Sequence, residues 1–429
     1  MQHLEAVKRI LDFKLAASFL MQDENGIIYG AEDILRDVQI AAKRVIGHTC
    51  LTIDARQARA ALIGLLLSKT FGYDVNLSRD TSKESLPYEK SLELVTGVTA
   101  WLDQNPTNTN PGIRLSTSGT TGKAKTTFHT LTRLLAAVRN RQTNSKNVWL
   151  LTYEPASYAG IQVILTAAVN GAKLLAPKRS ISSMAASVLQ GCTHISATPS
   201  FWRALMAALP NNISLSLEAI TLGGEPSTQD LLDALKSRFP NAAIRHIYAS
   251  TEAGVGFTVN DGLAGFPSSW LNDGVSNVQL RIRDNELQIR TERGMLGYVC
   301  EATDPFKGGW LQTGDLVEIK DDRVFFQGRS DNLVNIGGAK VLPEKIEAIL
   351  MGISDVIDIA VYGRPNPILG NLLIAEVCVV PGADLIAVEA ALKIQANDKL
   401  PSFARPVRYS FVQTLDLSNG KKPRKYVFY

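Results

Sequence analysis

Between residues 148 and 248 the chain alternates short apolar runs with segments of helical periodicity, and this alternation restricts its fold more than any other feature. Strands are expected over 148–153, 172–176, 194–197, 217–222 and 243–248, with helices over 161–169, 182–189, 201–208 and 229–239 between them. Repeated strand–helix units imply a mostly parallel sheet with helices on its faces. Such sheets bind ligands beyond the carboxyl ends of their strands. Two of those ends carry loops rich in small and hydroxyl residues, Leu222-Gly223-Gly224-Glu225 and Tyr248-Ala249-Ser250-Thr251-Glu252-Ala253-Gly254.

The flanking segments extend the pattern. Ile34, Leu35, Val38, Ala41, Ala42 and Val45 have helical spacing, and a strand over 50–53 precedes a helix over 58–67. Residues 1–21 are interrupted by Glu5, Lys8, Arg9, Asp12 and Lys14, so they read as an amphipathic helix and not as a secretory leader. Residues 76–110 are polar and read as a surface connection. From Val278 onward the spacing becomes that of hairpins, 278–283 with 286–290 and 316–319 with 323–327, which predicts an antiparallel piece. The turn 328–332 has no apolar residue and reads as a hinge. Beyond it a helix over 343–350, strands over 356–362 and 374–380 and a helix over 387–397 make a small α+β unit. The expected architecture is therefore α/β: a large domain over 1–328 and a small mobile domain over 329–429, hinged near Asp331.

Composition narrows the function classes. With 45% hydrophobic and 20% charged residues the chain is an ordinary globular protein, and a net charge of +4 gives no reason to invoke nucleic acid. Cys50, Cys192, Cys300 and Cys378 lie far apart, which argues for a reducing compartment and against a zinc site. No run of apolar residues is long enough for a membrane span, and a cytoplasmic location is expected.

The stretch Leu115-Ser116-Thr117-Ser118-Gly119-Thr120-Thr121-Gly122-Lys123-Ala124-Lys125-Thr126-Thr127 packs hydroxyls, glycines and two lysines between an apolar run and a helix-like segment from about Thr130. Glycines let backbone N–H groups approach an anion, hydroxyls add donors, and ammonium groups balance phosphate charge. It is not a Walker loop, because only Thr120 and Thr121 separate Gly119 from Gly122-Lys123. Four further features suit a nucleotide. Tyr248, Thr251 and Glu252 offer an aromatic face, a hydroxyl donor and a carboxylate; Gln312-Thr313-Gly314-Asp315 offers a carboxylate after a tight turn, suited to a vicinal diol; Gly328-Arg329 adds a guanidinium; Gly420-Lys421 sets a lysine on a turn near the chain end.

In this order and spacing, over roughly 113–425, the chain resembles the adenylate-forming superfamily of acyl- and aryl-CoA synthetases and nonribosomal-peptide adenylation domains. The resemblance implies two steps: a carboxylic acid attacks the α-phosphate of Mg-ATP to give an acyl-adenylate and pyrophosphate, then a thiol displaces AMP after the small domain rotates. It assigns Thr117, Ser118, Gly119, Thr120, Thr121, Gly122 and Lys125 to the pyrophosphate loop and Tyr248 to adenine stacking. Gly223, Gly224, Glu225 and Ala249 lie beside the adenine in this scheme, and Asp315 and Arg329 anchor the ribose. Thr251 donates to the α-phosphate, Glu252 with Thr120 holds Mg2+, and Lys421 bridges the carboxylate and α-phosphate. ATP, Mg2+ and CoA, or the phosphopantetheine of a separate acyl carrier protein, are the implied cofactors.

The chain departs from the family pattern in places. Ala124-Lys125-Thr126 stands where Pro-Lys-Gly is usual, Tyr248-Ala249 where Tyr-Gly is usual, and the segment before the loop is short. Amino-acid-activating relatives carry an Asp where Ser157-Tyr158 stands, so an acid without an α-amino group is expected. Tyr158, Ile161, Leu222, Ala249, Gly254, Val255 and Gly256 would line its pocket, which suits an aryl or medium acyl carboxylate. The compact length and Gly191–Ser200 are similar to the o-succinylbenzoate-CoA ligase branch. Three readings remain open from sequence: a CoA ligase, an enzyme loading a separate carrier, and a non-catalytic binding descendant. A homodimer is among the arrangements the sequence allows.

Overall fold

A computed structural model describes residues 15–48, 50–79, 91–102, 112–116, 125–138, 145–210, 213–299, 305–415 and 422. The expected strand–helix alternation builds an eight-stranded sheet. Its order is Gly254–Val259, Ala243–Ser250, Ala219–Gly223, His194–Ala197, Val148–Leu151, Lys173–Leu175, Leu20–Gln22 and Ile28–Gly30. All neighbours are parallel except the two outer pairs. Residues 15–19 are not helical and Leu20–Gln22 is a strand, so the helix expected over 1–21 does not extend through its last residues. Helices Ile181–Leu189, Pro199–Ala208 and Gln229–Arg238 cover one face of this sheet around Trp202, Ile195 and Ile220.

The other face packs against helices shared with a second sheet of seven strands. That sheet runs Gly297–Tyr298, Thr126–His129, Ile113–Ser116, Asp74–Ser78, Cys50–Asp54, Val98–Leu102 and Ser91–Val95. Between the two sheets lies Ala58–Phe71, with eleven of its fourteen residues buried, which makes it an interior helix and not an amphipathic one. Each of its fully buried leucines contributes about 1.5–3 kcal/mol by leaving water. The polar stretch after 76 is not a plain surface connection. It contains the end of Asp74–Ser78 and the hairpin Ser91–Val95/Val98–Leu102, which buries Leu94, Val98 and Ala100 against the same core. Alternating residues on a half-buried strand leave a mixed composition that hides it.

A third, antiparallel sheet follows. Gln279–Arg283 and Glu286–Arg290 form a hairpin through Asp284-Asn285, whose positive φ of 52° and 60° are those of a two-residue turn. Trp310–Lys320 and Arg323–Arg329 continue the sheet. The last unit holds Val356–Asn366 and Gly370–Val379 as a long antiparallel pair, with Arg408–Val412 added in parallel. Helices Pro343–Leu350 and Leu385–Lys399 close its core around Ile346, Leu350, Ile359, Val361 and Leu392.

Candidate active site

Strand Ala243–Ser250 brings Tyr248 to the boundary between the parallel and antiparallel sheets. The Tyr248 ring lies nearly parallel to Phe257 and Phe326, with both centroids 5.2 Å away. Its hydroxyl donates to Asp315 Oδ2. Arg329 Nη1 donates to Asp315 Oδ1 at 3.1 Å and to the Thr313 carbonyl at 3.0 Å, while its Nε and Nη2 reach both oxygens of Asp331. The chain therefore brings Tyr248, Asp315, Arg329 and Asp331 together. Burial, and then the Asp315 charge, push the Tyr248 phenol well above its ordinary pKa, which keeps it protonated as the donor. Burial opposes the Arg329 charge, but Asp315 and Asp331 outweigh it and raise its pKa.

The setting of Asp315 differs from the expected tight turn. Asp315 does not follow a hairpin turn; it sits inside the strand Trp310–Lys320, where Gly314 adopts φ +74° and a register shift follows at Leu316/Val317. A Cβ on Gly314 would come within 3.0 Å of Arg329 Nη2, so the kink and the arginine need glycine there. Tyr248 already has two phenylalanines as stacking neighbours and an engaged hydroxyl. A base stacking on Tyr248 would have to use the ring surface that Phe257 and Phe326 leave.

A second cluster forms around Glu252. Tyr298 donates its hydroxyl to Glu252 Oε1 at 3.3 Å, and the Lys125 ammonium lies 4.8 Å above the Tyr298 ring. Tyr298 reaches this position because the two-residue strand Gly297–Tyr298 pairs with Thr126–His129. Nothing in the local sequence marks so short a strand, and Tyr298 was not among the expected site residues. Thr251, partly exposed, precedes Glu252 in the same turn. The strand Thr126–His129 adds to the loop's expected setting, ahead of the helix capped by Thr130. Ser116 pairs with Thr126, so residues 117–125 connect two antiparallel strands, and the helix Leu131–Leu135 begins only afterwards. Thr117, Ser118, Gly119, Thr120, Thr121 and Gly122 lie outside the described residues, as does Lys421.

The expected acid pocket is only partly open. Tyr158 is buried at the start of helix Tyr158–Asn170, and its hydroxyl makes no hydrogen bond. Burial raises its pKa. Ile161 and Leu222 are fully buried in two separate cores, so neither is an open wall. Gly254 takes φ +69°, and a Cβ there would meet the Arg293 carbonyl at 2.7 Å and the Tyr158 hydroxyl at 3.3 Å. Val255 is half-buried beside it, Gly256 approaches the Tyr248 ring, and Ala249 sits at a bulge. Buried His129, 5.9 Å from the Tyr158 ring, has no hydrogen bond at either ring nitrogen. Burial, and then the Arg133 charge, lower its pKa to about 4. Ser157 is spent as the helix cap, accepting from Gly160 N at 3.0 Å, and nearby Glu154 is paired with Arg179 at 2.9 Å.

Gly223 ends its strand and Gly224 turns with φ +84°, which presents Glu225 to the start of helix Pro199–Ala208. Ser200 N donates to Glu225 Oε2 at 3.0 Å, and the amide of Lys422 donates to Oε1 at 3.2 Å. The C-terminal segment thus reaches the large domain at a loop expected to flank a nucleotide. Among the described residues, no three His, Cys, Asp or Glu side chains cluster as a metal site, and no helix is long and apolar enough to cross a membrane.

The profile of the family "AMP-binding enzyme" matches residues 47–304, and that of the "AMP-binding enzyme C-terminal domain" matches residues 345–422. Among curated proteins, 4-coumarate–CoA ligase 1 of Glycine max is 30% identical over 233 residues, covering 49% of this chain and 79% of that protein. The Arabidopsis thaliana 4-coumarate–CoA ligase 1 is 31% identical over 185 residues, covering 38% of this chain. The chain spans a third of that protein and two fifths of the Narcissus pseudonarcissus relative. Solved structures share the fold. An E. coli MenE variant with bound OSB-AMS has a TM-score of 0.70 at 20% identity, covering 93% of this chain and 92% of that one. The anthranilate CoA ligase AuaEII in complex with anthranoyl-AMP has a TM-score of 0.71 at 18% identity, covering 97% and 95%. Matched over more than half its length by the first profile, the chain belongs to the AMP-binding family of adenylate-forming enzymes and carries that family's C-terminal domain.

Proposed function

We propose that this protein activates a carboxylic acid without an α-amino group, aryl or medium acyl, as its adenylate and transfers the acyl group to the thiol of CoA. In the first step a carboxylate oxygen bonds to the α-phosphorus of ATP, the bond to the β-phosphate oxygen breaks, and pyrophosphate leaves. In the second step the thiol sulfur attacks the acyl carbon, AMP departs and the thiol proton is released. The observation that carries this reading is the convergence of Tyr248, Asp315 and Arg329 on a strand whose following turn carries Glu252, itself joined to Tyr298 and Lys125.

In this reading Asp315, held on both oxygens by Tyr248 and Arg329, keeps lone pairs for the two ribose hydroxyls. Lys125 and the 117–122 loop balance the pyrophosphate, and Thr251 donates to the α-phosphate. Mg2+, when bound, neutralises phosphate charge. Glu252 fits that ion, because Mg2+ takes one or two carboxylates plus phosphate oxygens and Tyr298 engages only Oε1; Thr120 is its expected companion. Lys421 would stabilise charge developing between the acid and the α-phosphate. Domains meeting near 328/329, with Asp331 as hinge, would let the small domain serve both steps. The engagement of Glu154 by Arg179 and of Ser157 in the helix cap supports an acid without an α-ammonium, which would otherwise need a free carboxylate.

The test is pyrophosphate release from Mg-ATP across a panel of aryl, acyl and amino acids, with and without CoA. Release that depends on a non-amino acid and consumes CoA is expected. Release without CoA consumption would transfer the second step to a carrier phosphopantetheine, and no release from any acid would favour a binding role. Lys421→Ala should slow adenylate formation roughly 100-fold, the order expected for removal of one transition-state donor, and leave transfer from supplied acyl-adenylate largely intact. Equal loss in both steps would remove Lys421 from that role.

A further inference from the structure

Three polar atoms lie buried near one another in the large domain with no hydrogen bond: both ring nitrogens of His129 and the hydroxyl of Tyr158. His129 ends strand Thr126–His129 and is fully buried, and Tyr158, 6% exposed, opens the helix that Ser157 caps. Their rings are tilted by 42° with centroids 5.9 Å apart, and neither side chain bonds the other. The Tyr158 hydroxyl ends 3.3 Å from where a Cβ on Gly254 would stand, which places it beside the turn that carries Thr251 and Glu252. The backbone of Thr251 faces the imidazole and that of Val255 the phenol, and neither completes a hydrogen bond.

Such atoms are costly to keep. Buried polar groups in folded proteins are nearly always paired, and an unpaired one has lost its hydration without replacement. Packing does not require them here, because Tyr158 belongs to a core with Leu131, Leu134 and Ile161 in which a phenylalanine would fill the same space. An oxygen brought to the pair would meet the phenol and an imidazole nitrogen together. Burial keeps the imidazole neutral, its pKa lowered to about 4, and keeps the phenol un-ionised. The nearby cations are turned elsewhere: Arg133 donates to the Gly294 and Met295 carbonyls and Arg293 to the Ser276 carbonyl. A neutral imidazole with one donor and one acceptor, next to a hydroxyl, suits an uncharged oxygen and not a second carboxylate.

Resting on the two-step reading above, we propose that the activated acid carries an uncharged oxygen, a hydroxyl or a carbonyl, away from its reacting carboxyl, and that Tyr158 and His129 hold that oxygen. In that reading Thr251 donates to the α-phosphate, and the pair borders the same turn, so the acyl part of the acid and the pair meet there. Tyr158 and His129 are then specificity-determining residues, and a plain hydrocarbon acid is a poor substrate.

Matched acids test this, benzoate and cinnamate against their 3-hydroxy, 4-hydroxy and 4-acetyl forms, in pyrophosphate release from Mg-ATP. The best substituted form should have a kcat/KM about 100-fold above that of its plain parent, the order of two buried hydrogen bonds. Tyr158→Phe and His129→Leu should each reduce that ratio about tenfold. Equal use of plain and substituted acids by the native protein, or variants that slow both alike, would overturn the proposal. Thermal unfolding needs no turnover and separates this failure from failure of the two-step reading. An unpaired hydroxyl adds no bond to the fold, so Tyr158→Phe should leave the Tm unchanged or raised. With AMP present, 4-hydroxybenzoate should raise the Tm of the native protein more than that of Tyr158→Phe. A Tm lowered by the substitution, or equal shifts with 4-hydroxybenzoate, would overturn the proposal even if no acid is activated.

Discussion

Among the described residues, the network of carboxylates and cations around Asp315 and the one around Asp358 differ in their access to water. Around Asp315 the side chains are part open, with Asp315 18% and Arg329 39% exposed. Around Asp358 they are closed, with Asp358 and Lys422 each 6% exposed. An open network keeps lone pairs and donors within reach of a ligand and adds little to stability, because water competes for every bond. A closed one cannot bind a ligand without opening, yet leaving any member unpaired is expensive. The first arrangement suits recognition, and the second suits fixing the position of one part of the chain against another.

Substitutions can break this contrast, beginning with its most sensitive member. Lys422→Met removes the cation from between Asp358 and Glu347 and should cost about 3–5 kcal/mol, the usual penalty for half of a buried pair, measured by urea unfolding of the small domain. A loss below about 1 kcal/mol would mean that water reaches the cluster and that the contrast fails.

Next in size is a buried group with no ion partner. His129 has a pKa of about 4 when folded against 6.5 unfolded, so the unfolded chain takes up its proton first as the pH falls. The stability tied to the neutral imidazole is present above pH 6.5 and lost down to about pH 4, roughly 3 kcal/mol in all. His129→Phe should flatten that part of the stability–pH curve, and an unchanged slope would place the titration elsewhere. The smallest effect belongs to the open network. Asp315→Ala should raise the ATP Kd about tenfold while costing about 1 kcal/mol of stability. A large stability loss with unchanged ATP binding would make Asp315 structural.

These two networks were not equally legible in the sequence. The parallel sheet was readable because its strands are buried on both faces and read as apolar runs between helical segments. Asp315 and Arg329 carry turn-like neighbours, Gly314 and Gly328, that draw attention to them, although the turn at Gly314 proved to be a kink inside a strand. Lys422 carries no such signal. It stands in a basic run in which Gly420 draws attention to Lys421 instead, and only the tertiary fold brings Glu347 and Asp358 to it. Tyr298 was hidden for a similar reason, since its position depends on a two-residue strand pairing with a distant one. The hairpin 91–102 was obscured by the polar residues on its outer face.

The most direct test of the account is chemical trapping of the intermediate. The protein is mixed with Mg-ATP and the acid panel without thiol, quenched within one turnover and analysed by mass. The account predicts an acyl-adenylate in amounts comparable to the enzyme, which disappears as CoA is added and is replaced by AMP and the acyl thioester. Formation of ADP and phosphate in place of AMP and pyrophosphate, with no adenylate at any time, would contradict it.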